Sequence, residues 1–221
     1  MRIQILATEH WNLLATRSMT WSELFSRASM FLTVLSASVV ALAFVAQATG
    51  FGEGFRLFAF VVLPVVLLLG LATYSRLSAI NEYDVWLVVG MNRLRHAYLE
   101  MAPELKPYFI SGRNDDIPGL WQTYNPGWLM PSHTPGTPPF NLGLLLTSTP
   151  NVIGAINSLV AGVLAALIAE TLGASVAVSA TIGGTMGLVV LIVLLWSPMR
   201  GVARMYREYR PRFPTEEQTG T

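Results

Sequence analysis

Cysteine is absent from the 221 residues, so no disulfide, thiolate nucleophile, Cys-ligated metal or Cys-attached haem can form. Charge is scarce as well: 12% of the residues are Asp, Glu, Lys or Arg, about half the roughly 25% of a typical soluble domain. Lysine is nearly missing, with Lys106 alone against 13 arginines. The net charge of +1 comes from scattered basic groups, which excludes the clustered basic surface that nucleic acid requires. The chain also lacks a Gly-rich phosphate loop, an H-E-x-x-H pair and a G-x-S-x-G elbow. No enzymatic activity and no cofactor is therefore expected.

What the chain has instead is apolar residue, 52% of the total, with a mean hydropathy of +0.50. Four stretches, near 30–48, 57–74, 152–172 and 175–196, reach the length of about 20 residues that crosses a hydrocarbon core of roughly 30 Å. Glu170 is the one charge among them. The expected class is an all-α membrane protein with four transmembrane helices, an amphipathic N-terminal segment and a cytoplasmic helical extension of the second span.

Its parts are expected to be an N-terminal segment (1–20), a first transmembrane hairpin (21–74) and a cytoplasmic helix (75–106). A Pro-rich loop (107–150), a second hairpin (151–197) and a basic, partly disordered tail (198–221) follow. Thr20-Trp21-Ser22-Glu23 has the T-x-x-E form of a capping box, which predicts a helix start near Trp21. Gly50, Gly52 and Gly54 make the hairpin short, and Pro64 predicts a kink in the second span.

Thirteen of the 14 basic residues lie before the first span, between the second and third, or after the fourth; Arg56 is the exception. Short loops rich in Lys and Arg stay cytoplasmic, which places both termini and the middle segment inside, at the plasma (inner) membrane. Ala46-Gln47-Ala48 resembles a signal-peptide cleavage site, but the more polar region ahead of the core is 27 residues long, contains Glu9 and Glu23 and does not form a short basic leader.

Small residues mark the helix contacts. Gly154, Ser158 and Gly162 in the third span, and Ser179, Gly183 and Gly187 in the fourth, recur every four residues and let backbones approach closely. Two readings follow, packing inside one bundle or a seam between copies in a homo-oligomer. Asn157 and Glu170 are the polar groups from which an ion path is expected if the third and fourth spans line a channel. Glu170 sits near a helix end, where its carboxylate reaches water, and the two are 13 residues apart, roughly 20 Å along a helix.

Between the hairpins, Leu87, Met91, Leu94, Tyr98 and Met101 follow a heptad rhythm that Asp84 continues backward to Ile80. This seam needs cover from the N-terminal segment, another copy, a cytoplasmic protein partner or the membrane surface; intramolecular packing is the first expectation. The helix should stop at Ala102 before Pro103. Asn114, Asp115, Asp116 and His133 match no spaced ligand pattern, so no metal site is expected. Trp121, Tyr124 and Trp128 read as an interfacial aromatic patch, and 140–146 is too short to cross a bilayer. Arg200, Arg204 and Arg207 share a helical face suited to anionic lipid, and 214–221 reads as disordered.

The runs EHWNLLATRS, MTWSELFSRASMFL and MNRLRHAYLEMAPELKPYF resemble a family of uncharacterised bacterial multi-pass membrane proteins of actinobacterial type, over roughly residues 5 to 116. The resemblance implies a membrane location and carries no activity. The expected function is that of a structural or interaction protein presenting a cytoplasmic helical platform in the lipid bilayer; the alternative is an oligomeric ion channel or small transporter.

Overall fold

The computed structural model describes residues 1–124 and 148–215, and for residues 198–207 the helical backbone alone. Among the described residues the chain is all-helical, with no strand. Its elements are α1 (Arg2–Thr49), α2 (Glu53–Met101), a 3-10 helix (Pro103–Tyr108), α3 (Ile117–Tyr124), α4 (Thr149–Thr171) and α5 (Val176–Glu208). Stretches within α1, α2, α4 and α5 are long and apolar enough to cross a membrane, with mean hydropathies of 2.2 to 2.5.

Two compact units divide the chain. The first comprises Met1–Ser22, the described part of Ile80–Phe140 and the described part of Arg204–Thr221; the second comprises Glu23–Ala79 and the described part of Asn141–Ala203.

The helix start expected near Trp21 is corrected: α1 begins at Arg2 and passes through Thr20 without a break. Residues 2–20 contain neither Gly nor Pro, so nothing interrupts the ladder. The Thr20 hydroxyl donates back to the Thr16 carbonyl at 2.8 Å, a bond made by threonines inside helices, not at caps. Glu23 is not a cap partner either; it accepts from Arg27 and from Arg76 of α2. Thr20→Val is accordingly expected to shift stability by no more than about 0.5 kcal/mol, whereas loss of a true N-cap costs about 1 kcal/mol. Thermal unfolding in detergent checks this.

In the second unit, α1 and α2 join through Gly50, Phe51 and Gly52, with Gly50 and Phe51 both at φ 61°. Helix α2 continues through Pro64 to Met101, and stops as expected ahead of Pro103. Helix α4 ends in a Schellman motif: Gly173 takes φ 90°, and the Gly173 and Ala174 amides donate to the Glu170 and Ala169 carbonyls. That left-handed position favours glycine.

Helices α4 and α5 pack through the small residues the sequence marks. A Cβ on Gly162 would stand 2.8 Å from the Gly183 carbonyl oxygen, one on Gly183 2.6 Å from the Gly162 oxygen, and one on Gly187 3.0 Å from the Ser158 oxygen. Gly154 faces Tyr74 and Leu194, and the Tyr74 hydroxyl donates to the Leu194 carbonyl. Ser179 is buried. These contacts lie within one chain, as the packing reading expects. Lipid-type side chains such as Phe44, Leu68 and Leu159 remain about two-thirds exposed.

The Pro-rich loop expected over 107–150 is corrected in its first part, which holds the 3-10 helix and α3. Asp116 explains the start of α3, because its Oδ1 accepts the Gly119 amide at 3.0 Å, the third helical position, as an N-cap residue does. Position 128, position 133 and residues 140–146 lie outside the described residues.

Candidate functional site

The first unit is built around three buried polar residues on α2 or beside it. Asp84 is 4% exposed. On α1, Arg17 and Trp21 stand one turn apart and both reach it: Arg17 donates Nε at 2.7 Å and Nη2 at 3.2 Å, and Trp21 donates Nε1 at 3.2 Å. From α3 the Tyr124 hydroxyl donates at 2.7 Å, and the Arg17 guanidinium lies over the Tyr124 ring. Burial disfavours the Arg17 cation, but its bonds and charge attraction to Asp84 outweigh that and raise its pKa. Burial and then Asp84 push the Tyr124 phenol well above its ordinary value, so it remains a donor. Tyr124 therefore pins α3 to α2 and is no free interfacial aromatic, which corrects that expectation.

Just over two turns on, Asn92 is fully buried. Its Nδ2 donates to the Asn114 and Gly119 carbonyls at 2.8 and 3.1 Å, and its Oδ1 accepts from Arg95 Nη1 at 2.7 Å and the Thr123 hydroxyl at 2.9 Å. All four hydrogen-bonding positions of the amide are used. The 112–119 turn closes tightly on this side chain: a Cβ on Gly112 would stand 2.0 Å from the Gly119 oxygen, and one on Gly119 2.1 Å from the Asn114 oxygen. Only glycine admits those approaches.

Asp115, 0% exposed, is the third centre. It accepts Arg93 Nε and the Tyr209 hydroxyl at 2.8 Å, the Arg212 amide at 3.0 Å and the Phe213 amide at 2.8 Å. Burial works to raise its pKa, yet the Arg212 amide, Arg93, the Phe213 amide and Tyr209 together hold it down at about 2. Burial and the Asp115 charge in turn push Tyr209 up to about 12. Around this centre the chain from 209 to 215 is strapped down. The Asp115 amide donates to the Phe213 carbonyl, Asn114 Nδ2 to the Pro214 carbonyl at 2.9 Å, and the Thr215 hydroxyl to Asp116 at 3.0 Å. Phe213 stacks on His96 at 4.2 Å, and Tyr209 meets Trp86 edge-on at 5.3 Å.

The tail expected to be disordered from 214 is thus fixed at Pro214 and Thr215; 216–221, and the side chains of Arg200, Arg204 and Arg207, lie outside the description. Asn114, Asp115 and Asp116 grip a peptide strap. Sequence reasoning missed this because the partners are a hundred positions apart and two of the donors are backbone amides.

The heptad seam is largely occupied from within the unit. Leu87, Met91 and Leu94 are buried, and Tyr98 stacks on His10 of α1 at 5.9 Å. Leu13 of α1 lies against Gly90, 3.0 Å from where its Cβ would be. Intramolecular packing is thus the outcome, and the seam is corrected as a partner surface: only Met101, 43% exposed, stands out. Asn157 is fully buried on α4, donating to the Ile153 carbonyl and closing on Gly70, whereas Glu170 is exposed. The structure does not bring the two together. Thirteen helical residues rotate by about 220° as well as advancing roughly 20 Å, so the pair cannot share a face.

In chemical terms the two buried carboxylates of this unit are filled acceptors. Asp84 and Asp115 face four donors each, an arrangement that locks helices and strap together and leaves neither poised to abstract a proton. The chain matches no known family model, and no curated protein and no solved structure matches it.

Proposed function

We propose that the chain is a non-enzymatic, multi-pass protein of the bacterial inner membrane whose first unit serves as a rigid cytoplasmic platform for interaction. The observation that carries this reading is the make-up of that unit: it gathers the N-terminus, the segment between the second and third apolar helices, and the C-terminal strap. If four helices span, those are the three parts that share one side of a bilayer. These parts carry 10 of the 14 basic residues, which favours the cytoplasmic side. The weak internal burial of the apolar windows, 11 to 39%, supports lipid as their cover.

With the seam filled, the surface left for a partner is the outer stripe of α1, where Ile3, Trp11 and Leu14 are 62, 70 and 41% exposed. The channel reading keeps one supporting observation, the buried Asn157 Oδ1 without a hydrogen-bond donor among the described residues.

The absence of cysteine makes the test clean. Single variants Glu53→Cys and Leu172→Cys are expected to react with an impermeant maleimide from outside intact spheroplasts, and Glu9→Cys and Glu104→Cys only after permeabilisation. Trp11→Cys should crosslink in native membranes to a discrete adduct that Glu100→Cys does not form. Labelling of position 104 from outside would sink the topology, and the absence of any adduct at 11 would sink the platform.

A further inference from the structure

Arg95 is a buried cation without a carboxylate partner among the described residues. At 9% exposure it is the one buried Lys or Arg side chain among the described residues. Its hydrogen bonds leave from Nη1 alone, to Asn92 Oδ1 at 2.7 Å and to the Gly112 carbonyl at 3.5 Å, both neutral acceptors. The ion pairs among the described residues involve Arg17, Arg27, Arg76, Arg93 and His96, and not Arg95. A guanidinium keeps its proton at any working pH, so the folded unit holds a largely buried charge that nothing among the described residues neutralises. Burying an ion is tolerated when a counter-ion and further hydrogen bonds compensate it.

The titratable groups within range do not compensate it. Arg17 and His10, both on α1, are close enough to Arg95 for their charges to interact. Burial and then Arg17 lower the Arg95 pKa, and burial and then Arg95 lower that of His10. Asp84 neutralises Arg17 but makes no bond to Arg95. Residues 125–147, which follow Tyr124, contain no Asp or Glu; outside the described residues the only acids are Glu216 and Glu217.

We propose that Arg95 is the core of a binding site for a phosphate-type oxyanion. The Nε–Nη2 edge, which the described residues do not engage, is the edge of a guanidinium that forms two parallel bonds to such a group. The uncompensated Arg95 guanidinium favours a doubly charged phosphate over a singly charged carboxylate, because the attraction scales with the charge of the ligand. The source is either free phosphate or a phospholipid headgroup, and the chemistry of recognition is the same.

The test uses the full chain in lipid-free detergent, with inorganic phosphate titrated against chloride at constant ionic strength and acetate in parallel. Phosphate is expected to raise the thermal midpoint saturably, with acetate at least about tenfold weaker. Arg95→Lys should move half-saturation up by about tenfold, because the ammonium cannot form the fork. Arg95→Met should abolish the response, whatever the loss of its bonds to Asn92 and Gly112 does to the midpoint without phosphate.

Should Arg95→Met not fold, the His10 pKa read by NMR decides: phosphate raises it in the wild type, where Arg95 and Tyr98 lie beside the ring, and raises it less in Arg95→Lys. A midpoint that responds to vesicles containing phosphatidic acid, but not to inorganic phosphate, assigns the oxyanion to a lipid headgroup. Equal responses in wild type and Arg95→Lys overturn the site, as does a wild type that answers to neither source. A response that appears only in the Glu216→Gln/Glu217→Gln variant also overturns it, because the chain's own tail then supplies the counter-ion.

Discussion

Asp115→Asn releases the chain from Tyr209 onward. The substitution keeps the shape of the side chain but removes the charge that Arg93 meets, and it replaces one oxygen acceptor by an amide donor facing the donors already there. Breaking a buried charged cluster by removing one partner costs about 3–5 kcal/mol. Arg93 is 40% exposed and the strap over Asp115 is thin, so water relieves part of this and the cost should fall near about 3 kcal/mol. The loss is local. Hydrogen exchange at the Arg212 and Phe213 amides should become fast, and trypsin should cut after Arg212, while the exchange of buried α2 amides stays slow. Strap amides that remain protected would show that the tail is held by something other than Asp115.

The same carboxylate gives the lock its pH dependence. Its folded pKa of about 2 lies below the ordinary 3.8, so the contribution is fully present above about pH 4 and is lost as the pH falls through about 2. A shift of nearly two units is worth about 2 kcal/mol at neutral pH. Strap protection should therefore be flat from pH 5 to 8 in the wild type and drop only in strong acid, and Asp115→Asn should show no such step.

Gly183→Val should separate α4 from α5. The new Cβ would lie 2.6 Å from the Gly162 carbonyl oxygen and 2.8 Å from the Ala166 Cβ. The first of these is backbone, which no rotamer change can move aside. Overpacking of this kind typically costs 1–3 kcal/mol and more where the backbone must yield; here about 3 kcal/mol is expected, or a fall of roughly 10 °C in the melting midpoint of a chain this long. Gly184→Val is the control. It adds the same β-branched residue one position along, where a Cβ meets nothing within 4 Å, and should leave the midpoint within about 2 °C. Equal effects at both positions would mean that helix propensity, and not the close approach, sets the result.

Much of the second unit was legible because membrane-scale helices announce themselves by length and composition, and because small residues every fourth position form one row on a helix. Gly154, Ser158, Gly162, Gly183 and Gly187 were assigned to packing from spacing alone and meet their partners in the fold. The end of α2 before Pro103 was readable for a similar reason, since proline restricts the residue before it. The start of α1 was misread because T-x-x-E is a local pattern, and a local pattern cannot reveal that Glu23 is claimed by Arg76, fifty-three positions away.

Length, composition and periodicity were enough for the all-helical class and the four helices of spanning length among the described residues, and for an apolar seam on the extension of α2 that had to be covered. Contacts between distant parts of the chain were needed to show what covers it, that Asp84, Asn92 and Asp115 are buried hubs, and that Arg95 has no counter-ion among the described residues. The physical reason is that periodicity records which face of a helix is apolar, whereas the worth of a polar group depends on the donors and charges that the fold brings to it from distant parts of the chain.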